Sequence, residues 1–158
     1  MNEDRRMKLL SLAAEYVRRI QGLDGIQRIA LVGSLCTPKA KPKDIDILLS
    51  LRPGLDLAEL ARISRSLKGS TQSMSSGADI FLAEGGRYIG RICGYRECYP
   101  RVRCLALHCG GRPHLNDDLG NLKLDDRLIA DPPLVLWPEW KAKPGLPEDT
   151  LDMLSSRA

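Results

Sequence analysis

The sequence predicts an α/β protein of the α+β type, in which helices flank a mixed β-sheet and an irregular C-terminal extension follows. Three observations support this fold class: a helical apolar pattern opens the chain, apolar runs rich in β-branched residues come next, and a second helical pattern separates two of these runs. At 158 residues, the chain suits one domain with a genuine core. We expect residues 1–86 to form that core and residues 87–158 to form a Cys- and His-containing extension of the same domain.

The composition is ordinary for a globular protein, with 43% hydrophobic residues and a formal net charge of +4. No apolar run is long enough to cross a membrane, and the charged opening residues lack the apolar core of a signal peptide. These features predict a cytoplasmic protein with no membrane partner. Aromatic residues make up 4% of the chain, which argues against a surface that stacks nucleic-acid bases.

The first half of the chain alternates between helical and extended patterns. Apolar residues recur at helical spacing from Asp4 to Gln21, and Gly22 ends the helix. The run from Ile26 to Gly33 predicts a buried strand. The remaining elements are a proline-broken loop (36–43), a strand (44–51), a helix that begins at an Asp56/Glu59 capping box, a flexible polar link (68–77) and a third strand (78–86).

The pattern weakens after Gly86. Residues 87–98 and 101–109 could form strands, whereas 131–140 is too proline-rich for a central strand or a helix. The tail after Trp140 is expected to fray, although residues 147–156 could form a short terminal helix.

Two aspartates, Asp44 and Asp46, stand one residue apart in the second predicted strand. Side chains alternate along a strand, so both carboxylates should leave one face while Ile45 and Ile47 enter the core. Their Cβ atoms would be roughly 7 Å apart, a span that carboxylates can close around one or two hard cations such as Mg²⁺. Asp79, in the third strand, could supply another ligand or act as a base.

A Gly-Ser pair ends the first predicted strand. Gly33 would let the backbone approach a ligand closely, and Ser34 offers amide and hydroxyl donors for phosphate oxygens. Together with a metal held by carboxylates, these groups provide what phosphoryl chemistry requires.

These motifs resemble those of the polymerase-β-like nucleotidyltransferase superfamily, and in particular its minimal members. The resemblance spans about a third of the chain and rests on VGS at 32–34, DIDI at 44–47 and ADIF at 78–81. It implies a nucleotidyltransferase-type mixed sheet, with Asp44, Asp46 and Asp79 as the catalytic, magnesium-binding residues. By the same resemblance, Gly33 and Ser34 would hold the triphosphate of a nucleoside triphosphate.

The segment after the Gly-Ser pair departs from the family pattern, which commonly has a small residue, arginine and glycine there. This chain has LCTPKAKPK instead, and Lys39, Lys41 or Lys43 could replace those phosphate contacts. A solvated basic loop is the alternative interpretation of these lysines.

The function that the resemblance implies is transfer of a nucleoside monophosphate from a nucleoside triphosphate to an acceptor hydroxyl, with release of diphosphate. The acceptor could be a protein side chain, an RNA end or a small molecule. Small relatives also act as antitoxins that nucleotidylate a HEPN-type toxin, and a homodimer or a partner could complete the site. Two alternatives stay open: a binding module of the same fold without turnover, and a small structural zinc-binding protein.

The cysteines predict reduced thiols, because five cysteines occur without a secretory signal. Cys36 lies near the Gly-Ser pair and is interpreted as a packing residue. A structural Zn²⁺ site in the extension is one hypothesis, and buried free thiols are the other. The candidate ligands of the Zn²⁺ site are Cys93, Cys98, Cys104, His108, Cys109 and His114.

Overall fold

The computed structural model describes residues 2–38, 42–93, 112–116 and 124–155, with the backbone alone for residues 2–4. The predicted class is confirmed, since helices and a mixed sheet make up the described chain. Within these residues no helix is long and apolar enough to span a bilayer. The elements are α1 (Asn2–Ile20), β1 (Ile26–Val32), a 3₁₀ helix (Gly33–Cys36), β2 (Asp44–Leu51), α2 (Ala58–Gln72), β3 (Gly77–Glu84), β4 (Arg87–Ile92), β5 (Leu115–Asn116), α3 (Asp126–Ala130), β6 (Leu134–Trp137), β7 (Lys141–Ala142) and α4 (Glu148–Ser155).

The strands form one sheet of seven in the order β5-β4-β3-β2-β1-β6-β7. Strands β2 and β3 are parallel, and every other neighbouring pair is antiparallel. A parallel pair needs a crossover connection, which α2 provides. Because β4 and β6 extend the sheet on both sides, the extension that begins at residue 87 shares the sheet of the N-terminal core.

Each face of the sheet carries its own apolar cluster. The larger cluster joins α1, α2 and one face of the central strands, and β2 contributes to it through Ile45, Ile47, Leu49 and Leu51. The opposite face carries a smaller cluster that includes Ile129 of α3. Its members on the sheet are Ala30, Val32, Leu48, Phe81, Ala83 and Tyr88.

The predicted flexible link at 68–77 is wrong in its first half, because α2 continues to Gln72. Thr71 is fully buried, so burial stabilises this last turn despite its polar sequence. The predicted capping box does not form either. Asp56 accepts a hydrogen bond from the Ala58 amide at 2.9 Å, while Glu59 pairs with Arg62.

The C-terminal region is more ordered than its sequence indicates. Strand β6 lies inside the sheet between β1 and β7, and its four residues contain no proline. The prolines of 131–140 flank the strand instead of interrupting it. Proline lacks the amide hydrogen that a sheet ladder requires, so a proline-free strand can lie inside the sheet. The described part of the tail, residues 141–155, is ordered and not frayed, since β7 follows Trp140 and α4 packs against α1.

Candidate site of clustered carboxylates

The three predicted aspartates lie on one face of two adjacent strands. Asp46 of β2 is the register partner of Asp79 of β3, and Asp44 is the partner of Gly77. Register partners in a sheet project from the same side, so all three carboxylates emerge on the face of the smaller apolar cluster. They occupy the end of the sheet where β1 ends and β2 and β3 begin, beyond the apolar residues Leu48 and Phe81.

Two glycines make room for the aspartate side chains. Gly33 has a φ of +77°, and a Cβ atom there would lie 2.2 Å from Asp46 Oδ2. A Cβ atom at Gly77 would lie 2.7 Å from Asp44 Oδ1. The glycine at the end of β1 is therefore required both by its backbone conformation and by the carboxylate that packs over it.

Asp46 has the most perturbed environment of the three. Burial, together with the neighbouring Asp79 and Asp44 carboxylates, raises its pKa to about 7. A carboxyl with a raised pKa beside two other carboxyls is a candidate functional group. A nearby positive charge would favour its ionised form.

Arg91 of β4 provides one such charge. Its Nη1 atom lies 3.1 Å from Asp79 Oδ1, and both side chains are 31% exposed. Arg91 is the register partner of Phe81, which places Asp79 on the diagonal two residues away on the same face. The guanidinium thus closes the carboxylate cluster on the β4 side.

Sequence reasoning missed Arg91, although one signal was present. The β3–β4 hairpin turns at Gly85 and Gly86, and an uninterrupted ladder would pair Arg91 with Ile80 on the opposite face. The ladder shifts register at Leu82, which pairs with Gly90. Gly90 has a φ of +137°, and a glycine inside a strand indicates such a bulge.

The Gly33–Cys36 turn borders the cluster. Ser34 is partly exposed, and its carbonyl accepts hydrogen bonds from the Thr37 amide at 3.1 Å and hydroxyl at 2.8 Å. Burial, with the nearby Asp46 charge, raises the pKa of Cys36 to about 12, against the opposing effect of Arg6. A thiol that stays protonated fits the packing interpretation of Cys36 and not a nucleophile.

The predicted lysine contacts are only partly described. Lys43 is exposed, and its carbonyl accepts a hydrogen bond from the Gly77 amide at 3.2 Å. Lys39 and Lys41 lie outside the described residues.

Both terminal helices hold the Gly33–Cys36 turn through one buried network. The Leu35 carbonyl accepts hydrogen bonds from Thr150 Oγ1 at 2.8 Å and from Arg6 Nη2 at 3.2 Å. Arg6 Nη2 also donates to Thr150 Oγ1 at 2.8 Å, and its Nε pairs with Asp149 at 2.7 Å. Arg6 is 7% exposed and Thr150 is 0% exposed, so water cannot replace these bonds.

The donor set matches the chemistry of a hard divalent cation, since three carboxylates offer only oxygen ligands. Within the described ranges, however, no three His, Cys, Asp or Glu side chains are grouped as metal ligands. Asp44 and Asp46 together suit Mg²⁺, which usually takes one or two protein carboxylates. Asp79 would share its carboxylate between such a cation and Arg91, whose Nη1 atom lies 3.1 Å from Oδ1.

The predicted zinc ligands are mostly outside the described residues, namely Cys98, Cys104, His108 and Cys109. The two described candidates come close through the backbone, because the Cys93 amide donates to the His114 carbonyl at 2.8 Å. Cys93 is buried, and His114 Nδ1 lies 2.9 Å from Arg65 Nη2. An Nδ1 atom that accepts a hydrogen bond from an arginine is not available to a metal, so Nδ1 of His114 is not a ligand in this arrangement.

Scans against models of protein families, curated proteins and solved structures found no match to this chain.

Proposed function

We propose that this protein transfers a nucleoside monophosphate from a nucleoside triphosphate to an acceptor hydroxyl and releases diphosphate. The observation that carries the proposal is the pairing of Asp46 with Asp79 on adjacent parallel strands, with Asp44 on the same face and Gly33 against Asp46. Carboxylates gathered beside a strand-ending Gly-Ser pair suit a metal-bound polyphosphate.

In the proposed reaction, the acceptor oxygen attacks the α-phosphorus of the triphosphate. The bond between the α-phosphorus and the oxygen that bridges to the β-phosphate breaks, and diphosphate leaves. The acceptor's proton passes to a carboxylate of the cluster. Bound Mg²⁺ would supply charge neutralisation at the phosphates, and Asp44 and Asp46 would hold it.

The Gly33–Cys36 turn and Lys43 would bind the triphosphate. Gly33 and Ser34 lie beside the carboxylates, and Lys43 is exposed one residue before Asp44. The Arg6 and Thr150 hydrogen bonds to Leu35 would keep the turn rigid, so that the phosphates meet a preformed surface.

The test is incubation with each labelled nucleoside triphosphate, Mg²⁺ and cell lysate, with label transfer and diphosphate release as readouts. Asp46→Asn keeps the size of the side chain and removes a charge that would stabilise the transition state. We expect it to lower the rate at least about a hundredfold, since one electrostatic contact to developing charge is worth roughly 3 kcal/mol.

Asp24→Asn is the matched control, because Asp24 makes an exposed ion pair before β1, at the far end of that strand from Gly33. It should keep the wild-type rate. Equal rates of diphosphate release in wild type and Asp46→Asn would contradict the proposal. The labelled product would identify the acceptor, whether a protein, an RNA end or a small molecule.

One observation favours a second function, a nucleotide-binding module without turnover. Asp79, the third carboxylate, already pairs with Arg91, and the described residues include no group of three His, Cys, Asp or Glu side chains that could hold a metal ion. Nucleotide binding without any diphosphate release would support this alternative.

A further inference from the structure

The Arg91–Asp79 ion pair joins a fixed cation to the carboxylate cluster. Arg91 Nη1 donates to Asp79 Oδ1 at 3.1 Å. On the other side, Asp79 is the register partner of Asp46 in β2. Asp79 therefore lies between a like charge on β2 and an opposite charge on β4. A divalent cation at the cluster and the Arg91 guanidinium would therefore compete for the negative charge of one carboxylate.

The ion pair is placed so that it can open. Both side chains are 31% exposed, so separating them does not leave a charge buried without water. The long arginine side chain reaches Asp79 along a diagonal of the sheet, two residues from its register partner Phe81. A small rotation about its side-chain bonds would turn the guanidinium away from Asp79 without moving the strand.

Phosphate is a stronger attraction for arginine than one carboxylate oxygen. The guanidinium fork binds phosphate oxygens in pairs, and a triphosphate carries several negative charges. In the Asp79–Arg91 contact, Nη1 donates a hydrogen bond to Oδ1 at 3.1 Å. A polyphosphate bound over the cluster would offer this guanidinium a second partner within the same face of the sheet.

We propose that Arg91 competes with a divalent cation for Asp79, so that the free protein binds the metal weakly and a bound nucleotide releases Asp79 by attracting Arg91 to its phosphates. The nucleotide half of this inference rests on the proposed function, whereas the competition at Asp79 rests on the ion pair alone. Nucleotide binding then strengthens metal binding, because it removes the competitor from Asp79. Coupling between two ligands is reciprocal, so bound metal strengthens nucleotide binding by the same factor.

The experiment is calorimetric titration of the full chain with Mg²⁺ or Mn²⁺ in the absence of nucleotide. Arg91→Gln removes the competing charge and keeps a polar side chain of similar length. We expect it to bind the metal at least about tenfold more tightly than wild type, within the usual range of coupling between two sites. Arg87→Gln is the matched control, since Arg87 is an exposed arginine on the same strand, and it should match wild type.

Unchanged metal affinity in Arg91→Gln would overturn the proposal, as would an equal gain in Arg87→Gln, which would indicate a general effect of net charge. Failure of every variant to bind either metal would overturn it as well. Arg91→Lys is the second variant if Arg91→Gln does not fold. It keeps the charge without the guanidinium fork, so it should bind the metal more tightly than wild type. Wild-type affinity in Arg91→Lys would overturn the proposal.

A second titration adds a non-hydrolysable nucleoside triphosphate analogue. The analogue should tighten metal binding more in wild type than in Arg91→Gln, because only wild type has a competitor to displace. An equal effect in both proteins would remove the nucleotide half of the inference. If diphosphate is never released but Arg91→Gln gains metal affinity, the proposed reaction fails while the competition at Asp79 stands.

Discussion

At the scale of single residues, Asp46 has the surroundings that most constrain its chemistry. Its carboxyl packs over Gly33, faces Asp79 and is flanked by Asp44. The same contacts that raise its pKa to about 7 also decide how the fold responds to pH.

Asp46 should make the metal-free protein less stable as pH rises through the acid range. A carboxyl whose pKa is raised from 3.8 to about 7 keeps its proton in the folded protein while the unfolded chain loses it. The stabilisation is complete below about pH 4 and is lost by about pH 7, roughly 1–3 kcal/mol after allowance for the partial exposure of Asp46. Asp46→Asn should remove this dependence and leave the protein more stable than wild type at neutral pH.

Urea unfolding of wild type and Asp46→Asn between pH 4 and pH 8, in buffer treated with chelator, measures this effect. Asp24→Asn should follow the wild-type profile, because its carboxylate is exposed. Parallel profiles for wild type and Asp46→Asn would show that burial and the neighbouring carboxylates do not raise the pKa of Asp46.

At the scale of elements, the sequence predicts the bounds of a helix or strand well where the apolar periodicity and a terminal glycine indicate the same end. The strand Asp44–Leu51 was predicted at its observed bounds, because its apolar residues alternate cleanly with the polar ones over Asp44–Ile47. The common face of Asp44 and Asp46 follows from the same alternation. Their approach to Asp79 needed the parallel register of β2 and β3, which no local pattern encodes.

Long-range contacts explain what the sequence could not predict. The bulge at Gly90 turns Arg91 to the face of Asp79, and a shift of one residue reverses every side chain that follows it. The polar end of α2 is helical because Thr71 is buried by tertiary packing. Likewise, α4 holds the tail in place through Asp149 and Thr150, whose partner Arg6 lies 143 and 144 residues away in sequence.

The contact of α4 with the Gly33–Cys36 turn yields a prediction about one hydroxyl. Thr150→Val keeps the shape of the side chain but removes the donor to the Leu35 carbonyl and the acceptor for Arg6. We expect a loss of about 1–3 kcal/mol in the free energy of unfolding, because the partners are buried. Amide hydrogen exchange in the turn should also become faster than in wild type.

Two variants separate this effect from general destabilisation. Thr150→Ser restores the hydroxyl and should return exchange in the turn to the wild-type rate. Thr71→Val removes a buried hydroxyl that donates only to Lys68 in its own helix, so it should leave the turn unchanged. Equal exchange in Thr150→Val and wild type would mean that α4 does not fix the turn.

At the scale of the whole molecule, both ends of the chain meet at the candidate site. Helix α1 contributes Arg6 and helix α4 contributes Thr150 to the same carbonyl of the Gly33–Cys36 turn. The turn follows β1, one of the strands at the centre of the sheet. A ligand held by the turn and the carboxylates would therefore stabilise contacts across most of the fold, and its binding should appear in global unfolding.

Thermal unfolding with Mg²⁺ and a nucleoside triphosphate tests binding before any acceptor is known. A ligand that binds only the folded state adds about 2.7 kcal/mol at a hundredfold excess over its Kd, or roughly 5–10 °C in Tm for a chain of this size. Wild type and Asp24→Asn should gain this stability when both ligands are present. Asp46→Asn should gain little, because it has lost a carboxylate that would hold the metal against the phosphates.

A gain from nucleotide that is independent of Mg²⁺ and equal in Asp46→Asn would indicate a binding module whose aspartates do not hold metal. No gain from any triphosphate would contradict nucleotide binding at this site, because the linkage between ligand binding and unfolding requires a shift whenever the folded state alone is bound.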